Sequence, residues 1–229
     1  MDYQSQFDDL PPGLPFQILT RFLSERRRER LVSVASHRTK MVRLVLENLH
    51  DRHNVGACLR SAEAFGVLNV DVIQPVKGFH RSTTAKGASK WLNLNSWSRV
   101  DAFCAEMRQQ NICLAGGMIS GDQDLDTFPR EIDGPVAIIF GNEHSGLSKE
   151  ITENLDIRFR VTMRGMVESL NISVAAAVSM HMITEILEKK WGESFYLDQN
   201  ERLRLLDRWV RREVRHGDRI LAKAMEDFN

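Results

Sequence analysis

The feature that most constrains the fold is a rhythm. From residue 41 to residue 191, short apolar runs alternate with amphipathic or small-residue stretches. The runs are "MVRLVLENL" (41–49), "NVDVIQP" (69–75), "WLNLNSW" (91–97), "NICLAGGM" (111–118), "GPVAIIFGNE" (134–143) and "IRFRVTM" (157–163). Each is short and bounded by turn-forming or polar residues, and each reads as a strand. Between them, residues 54–66 read as a helix with Asn54 as its cap and Gly66 as its stop. A second helix spans about 98–110, Ser148 caps a short one, and a long one covers about 169–191. Residues 76–90, with Lys77, Arg81, Lys86 and Lys90 among Gly, Ser and Thr, read as a loop. Strands alternating with helices predict an α/β fold, a mostly parallel sheet with helices on both faces. Residues 16–36 and 199–226 read as one amphipathic helix each. The expected organisation is a basic helical extension (1–40), an α/β domain (41–195) and a basic C-terminal helix (196–229).

Composition narrows the class. No apolar run is long enough for a membrane span. The first residues, "MDYQSQFDDLPPGLPFQ", are acidic and Pro-rich, unlike a signal or transit peptide. Cys58, Cys104 and Cys113 are odd in number and have no close-paired spacing, which argues against a disulfide framework or a zinc site and for the cytoplasm. The formal net charge is zero but unevenly spread. Residues 21–43 carry eight basic residues against two acidic ones, and residues 201–223 carry eight against four. Arg dominates both segments. Two readings fit: an Arg-rich nucleic-acid footprint, or solvated helix faces laced with internal ion pairs.

Several chemistries are excluded. There is no dinucleotide fingerprint, P-loop or Gly-x-Ser-x-Gly elbow. His50, His53 and His144 have no carboxylate spacing that completes a metal site, so loop and capping roles are expected for them. Three segments remain, each at the carboxyl end of a predicted strand, where open α/β sheets bind ligands. They are "ENLHDRHNVGACLRSAEAFG" (47–66), "FGNEHSG" (140–146) and "GMVESLNISVAAAV" (165–178). In the first, Arg60 stands among small apolar residues, either on the polar surface of the helix or buried with a partner. In the second, Glu143 crowns a glycine turn. In the third, Ser169 and Asn171 open what reads as a buried helix, as caps or as site residues.

Together, in this order and spacing, these three segments resemble the motifs of the SpoU family of RNA ribose 2′-O-methyltransferases, of the SPOUT superfamily. The resemblance runs from about Met41 to Trp191. The flanks are similar to the branch that makes Gm18 in the D-loop of tRNA, through "SERRRERL", "SKW" (89–91) and "LDQNERLRLLDRWV".

The resemblance implies an α/β domain with a deep C-terminal trefoil knot, a homodimer, and a cleft for S-adenosylmethionine. It implies a cofactor wall of Gly116, Gly141, Val161, Met166 and Leu170. Gly116 stands where the branch often carries Thr, so a backbone contact would remain and a side-chain contact would not. Arg60 matches the family's catalytic Arg, with Asn54, Glu143, Ser169 and Asn171 in support. Two roles stay open for Arg60: a base, or a clamp on phosphate and alkoxide. Arg26, Arg27, Arg28, Arg30, Lys90, Arg208 and Arg211 are the implied RNA contacts. No metal is implied. The rRNA-modifying relatives carry a separate N-terminal substrate-binding domain, whereas about forty residues precede the first strand here, which points to tRNA. The alternatives are a 2′-O-methyltransferase of rRNA or of another tRNA position, and a knotted protein that binds RNA without catalysis.

Overall fold

The computed structural model describes residue 7, residues 9–74 and residues 87–226, so residues 76–86 of the loop expected at 76–90 lie outside the described residues. The chain forms two compact units: Thr39–Tyr196, and a second made of the segments before Thr39 and after Tyr196.

In the larger unit, strands β1 (Thr39–Glu47), β2 (Val67–Ile73), β3 (Asn93–Trp97), β4 (Cys113–Gly117), β5 (Gln123–Asp124), β6 (Val136–Phe140) and β7 (Ile157–Arg160) form one sheet. Its order is β3-β2-β1-β6-β4-β7-β5. Every pairing between these strands is parallel. The central strands are continuous apolar runs because both faces are covered. On one face, Val42, Leu44, Leu46, Ile138 and Phe140 pack with residues of α3 (Arg52–Ala64) and α6 (Ile172–Trp191). On the other, Val45, Ala137 and Ile139 pack with Phe103, Cys104 and Met107 of α4 (Val100–Gln109) and Ile151 of α5 (Lys149–Thr152). The two-residue alternation along β1 and β6 produces these two layers. Asp71, fully buried in β2, ties three strands together. It accepts from Arg43 Nη1 at 2.9 Å, Trp97 Nε1 at 2.7 Å and Asn95 Nδ2 at 3.2 Å.

The chain visits β1, β2 and β3 outward in one direction, then crosses to β4 and β5 on the other side. It returns to insert β6 between β1 and β4, and β7 between β4 and β5. Parallel strands end at a common edge, so the segments after β1, β4, β6 and β7 all emerge there. Strand β5 is only two residues long and was not foreseen, because alternation has no meaning over two positions.

The smaller unit is helical: α1 (Leu14–Leu19), α2 (Glu25–Ala35), α7 (Gln199–Glu213) and α8 (Gly217–Glu226). α1 packs on α7 and α8, and α2 packs on α7. Thus both terminal segments contribute to each of two small cores, Leu19 with Val210 and Val214 in one and Phe7 and Ile18 with Leu221 in the other. The buried carboxylate of Asp207 accepts the backbone N–H of Gly13 and that of Phe16, both at 2.8 Å.

Neither terminal segment is the single helix its periodicity predicts. The first breaks at Leu23, which is extended, because the Ser24 hydroxyl accepts the Arg27 N–H and starts α2 anew. The last breaks after Glu213, where Val214 is extended and His216 takes φ 58°. Gly217 then comes so near the preceding helix that a Cβ there would lie 2.9 Å from the Arg211 carbonyl oxygen.

Candidate active site

The three segments singled out in sequence meet at the strand ends. α3 is capped by Asp51, whose side chain accepts the His53 N–H at 2.8 Å, so the cap is not Asn54 as expected. Asn54 sits inside the first turn, and its amide is therefore available to the site. Its Nδ2 donates to Glu143 Oε1 at 2.8 Å. Its Oδ1 accepts from Asn171 Nδ2 at 3.2 Å. Asn171 caps α6, one of the two readings open to it, its Oδ1 accepting the Ser173 N–H at 2.8 Å and the Ser173 hydroxyl at 2.6 Å. Glu143, Asn54, Asn171 and Ser173 thus form one chain of hydrogen bonds through three segments.

The turn that carries Glu143 is held from inside by Asn142, which is 6% exposed. Asn142 and Gly146 exchange both backbone hydrogen bonds, at 3.0 and 2.8 Å. The Asn142 side chain accepts the His144 N–H at 2.8 Å and donates to the Asn48 carbonyl at 2.9 Å. A Cβ on Gly141 would fall 2.2 Å from the Gly146 carbonyl oxygen, so only glycine closes this turn. Asn142 and Asn48 were not among the expected site residues. The signal for Asn48 was its residue type, since it takes φ 52° at the strand end and Asn tolerates that region better than most residues.

The expected cofactor wall lies on neighbouring elements. Gly116 in β4 pairs in register with Ile139 of β6 and Arg158 of β7. Gly116 and Gly141 are buried, Val161 and Leu170 are half-buried, and Met166 is fully exposed. A Cβ on Gly116 would lie 2.4 Å from Leu155 Cδ1 and 2.9 Å from Leu147 Cδ1, so the two leucines fill the space the missing side chain leaves.

Of the two readings open to Arg60, the surface one holds and burial with a partner does not: it is exposed on α3 and makes no hydrogen bond or ion pair among the described residues. Ser169 is likewise exposed, with no hydrogen bond among the described residues. Both are free to meet something outside this chain. Among the described residues, no group of three His, Cys, Asp or Glu side chains is placed to hold a metal ion, and no helix is long and apolar enough to cross a membrane.

The expected RNA contacts divide. Arg26 and Arg30 are exposed and have no partner among the described residues. Arg27 pairs with Glu213 at 2.7 Å, and Arg28 pairs with Glu25 at 2.5 Å. Arg211 pairs with Asp218 at 2.7 Å and lies over the Phe7 ring. Lys90 lies 4.9 Å from the Trp91 ring centroid. Arg208 is half-buried. Internal pairing thus claims part of the basic surface.

Comparison with known proteins agrees with the geometry. The model of the SpoU rRNA methylase family matches residues 41–181. The tRNA (guanosine(18)-2′-O)-methyltransferase of Borreliella burgdorferi is 26% identical over 201 residues, 87% of this chain and 91% of that protein. The protein of the same description from Thermus thermophilus is 34% identical over 158 residues, 68% of this chain and 80% of that one. A 23S rRNA (guanosine-2′-O-)-methyltransferase of Xylella fastidiosa is 34% identical over 140 residues, 60% of this chain and 55% of that protein. Among solved structures, the A. aeolicus TrmH/SpoU tRNA modifying enzyme superposes with a TM-score of 0.71 at 26% identity, over 83% of this chain and 98% of that one. AviRb of Streptomyces viridochromogenes, solved with AdoMet, shares the fold with a TM-score of 0.56 at 24% identity, over 66% of this chain and 62% of that one.

Proposed function

The chain belongs to the SpoU rRNA methylase family, and on that premise we propose that it methylates the ribose 2′-hydroxyl of a guanosine in the D-loop of tRNA, forming Gm18, with S-adenosylmethionine as the methyl donor. The observation that carries this reading is the hydrogen-bonded chain Glu143–Asn54–Asn171, which gathers three distant segments at the carboxyl edge of a parallel sheet. The glycine-tight turn at Gly141, closed backbone to backbone on Gly146, exposes main-chain groups at the strand end, which suits an adenosine cofactor held by the main chain. Gly116, Gly141, Val161, Met166 and Leu170 would hold it. When bound, it supplies a methyl group made electrophilic by a sulfonium.

The chain's own residues then have distinct tasks. Asn54 and Asn171 keep α3 and the start of α6 at a set spacing. Arg60 reaches outward and, with the planar fork of donors that a guanidinium presents, serves as a clamp on a phosphate or on the developing 2′-alkoxide rather than as a base. Glu143, held by Asn54, and Ser169 would serve as polar groups that orient the ribose. Alignment of this kind lowers the barrier by holding the hydroxyl in line with the methyl group.

The reading includes the trefoil knot, supported by the late insertion of β6 and β7 between strands already laid down. It includes a homodimer. Val174 and Val178 stand one turn apart on α6, 46% and 38% exposed, and exposed Met166 and Val167 lie close to them in sequence; such grouped apolar exposure suits an interface. It includes tRNA grasped by the terminal helices, with Arg26 and Arg30 as their open cations, and a cytoplasmic setting. The high share of the Borreliella and Thermus tRNA enzymes that the chain matches supports tRNA over rRNA.

The test is incubation of the purified protein with methyl-labelled S-adenosylmethionine and an unmodified tRNA transcript, followed by nucleoside analysis and site mapping. Label in 2′-O-methylguanosine of the D-loop is expected. Label on rRNA alone would move the substrate, and binding without label on any RNA would overturn the catalytic reading.

A further inference from the structure

The turn from Gly141 to Ser148 is an excursion that leaves β6 and ends at the start of α5. Its first residue follows Phe140, which pairs in register with Leu46 of β1. Its last residue, Ser148, is a joint. The Ser148 hydroxyl accepts the Ile151 N–H at 3.1 Å and caps α5, while its own N–H points back and donates to Glu47 Oε2 at 2.9 Å. Glu47 is the final residue of β1, and Asn48, whose carbonyl accepts from Asn142, is the next. Two consecutive residues at the end of β1 therefore grip the turn, one near its start and one at its close.

Glu47 is costly where it stands. It is 2% exposed, beside the layer built from Val45, Ile73, Ile139 and Ile151, and its Oε1 is buried with no hydrogen-bond partner in the protein. A carboxylate taken from water and only half matched is destabilising. An apolar side chain of similar length would serve the core better. The group's return must come from what Oε2 holds.

We propose that Glu47 is a positioning residue for the reaction proposed above: its carboxylate clasps the Ser148 N–H and so sets the turn that presents Glu143 to Asn54 and Gly141 to the cofactor cleft. This rests on the methyltransferase reading for its consequence in catalysis, and on geometry alone for its consequence in the turn. Of the two oxygens only one is engaged, so a neutral side chain that keeps one acceptor suffices. Glu47→Gln retains that acceptor. Glu47→Met keeps the length of the side chain and loses it.

The experiment compares the full-length wild type, Glu47→Gln and Glu47→Met. Amide hydrogen exchange read over residues 141–150 comes first, because it needs no cofactor. Glu47→Met is expected to speed exchange there by about tenfold, the change expected from one lost hydrogen bond, with α3 and α6 as protected as in the wild type. Glu47→Gln is expected to exchange like the wild type. S-adenosylmethionine affinity and steady-state kinetics follow. Glu47→Met should bind the cofactor about tenfold more weakly with tRNA affinity unchanged, and Glu47→Gln should restore it. The proposal is overturned if Glu47→Met exchanges like the wild type over residues 141–150, or if Glu47→Gln loosens the turn as Glu47→Met does. If Glu47→Met does not fold, Glu47→Ala, which also lacks the acceptor, takes its place against Glu47→Gln and the wild type under the same criteria. A wild type that takes no cofactor would sink the methyltransferase reading instead, and the exchange data would still judge the clasp.

Discussion

The side-chain amide of Asn54 donates to the carboxylate of Glu143 at 2.8 Å across 89 positions of sequence, and the same Asn54 accepts from Asn171, 117 positions further along the chain than itself. One amide group thus uses both of its ends to join the second and third segments to the first. That dual use makes Asn54 the most informative position in the site.

Asn54→Ala removes both bonds at once. Methyl transfer to tRNA should fall by about a hundredfold or more, the scale of losing one aligned polar contact in an active site. Global stability should drop by only about 1 kcal/mol, because the group is half-exposed. Single-turnover rates and a urea melt measure the two effects. A wild-type rate in the variant would mean that the chain of hydrogen bonds is structural only.

Arg60 has no partner among the described residues, so its replacement should leave the fold alone. Arg60→Ala is expected to change stability by less than about 0.5 kcal/mol, as for surface substitutions generally. The same variant should lose about a thousandfold in single-turnover rate, with S-adenosylmethionine affinity intact. Arg60→Lys keeps a charge without the fork and should recover only part of the activity. If Arg60→Ala methylates tRNA at the wild-type rate, the clamp is misassigned.

The two glycines of the cofactor wall differ in what surrounds them. At Gly141 a Cβ meets backbone, the Gly146 oxygen at 2.2 Å, and nothing there can step aside. Gly141→Ala should cost about 3 kcal/mol, the upper range for overpacking, and should abolish cofactor binding. At Gly116 the contacts are the ends of two leucines, so Gly116→Ala should be tolerated far better. Equal losses in calorimetric melts of the two variants would contradict this ordering.

For tRNA, the discriminating pair is Arg26 with Arg30, both exposed and without partners among the described residues, against Arg27, which pairs with Glu213. The double change Arg26→Ala with Arg30→Ala should reduce the salt dependence of tRNA binding by about one unit of slope per residue. Arg27→Ala should instead act mainly on stability of the helical unit. Filter binding between low and high salt reads the slope, and an unchanged slope in the double variant would remove α2 from the RNA surface.

Burial raises all three thiols, Cys58 and Cys113 the furthest, and the sign of the consequence follows. Cys58 is pushed up to about 12 and Cys113 to about 11, with burial as the first cause in both. In the unfolded chain both ionise near their ordinary value of 9.0. Above that pH the unfolded state binds fewer protons than the native state, so stability falls as pH rises, by about 1.4 kcal/mol per unit for each thiol. Below about pH 9 the contribution is complete. Urea midpoints from about pH 8 to about pH 10.5 should decline, and Cys58→Ala should decline less steeply. Parallel curves for the two proteins would rule this out.

Local chemistry was legible in the chain. Alternation of strand and helix determined the α/β class, the apolar runs at 134–143 and 41–49 marked the central strands, and the caps Asn171 and Ser148 were readable because a side-chain oxygen three residues or fewer from an unpaired N–H acts within one turn. The three motifs and their order were enough to indicate the family. What the sequence could not decide was set by contacts between distant segments. Periodicity carried each terminal helix through Leu23 and Val214, since a break set by a competing hydroxyl or by the approach of Gly217 to another helix is not a property of spacing. It made Asn54 a cap, whereas Asp51 takes that role and leaves Asn54 for Glu143. The company of its neighbours left Arg60 open between the surface and the interior, and only the packing of α3 against α6 decides which side of the helix is covered. The pairing of Glu47 with Ser148 joins residues 101 positions apart and has no local signature. Sequence acts through bonds and turns a few residues long, and the site depends on which strand ends the sheet order brings together.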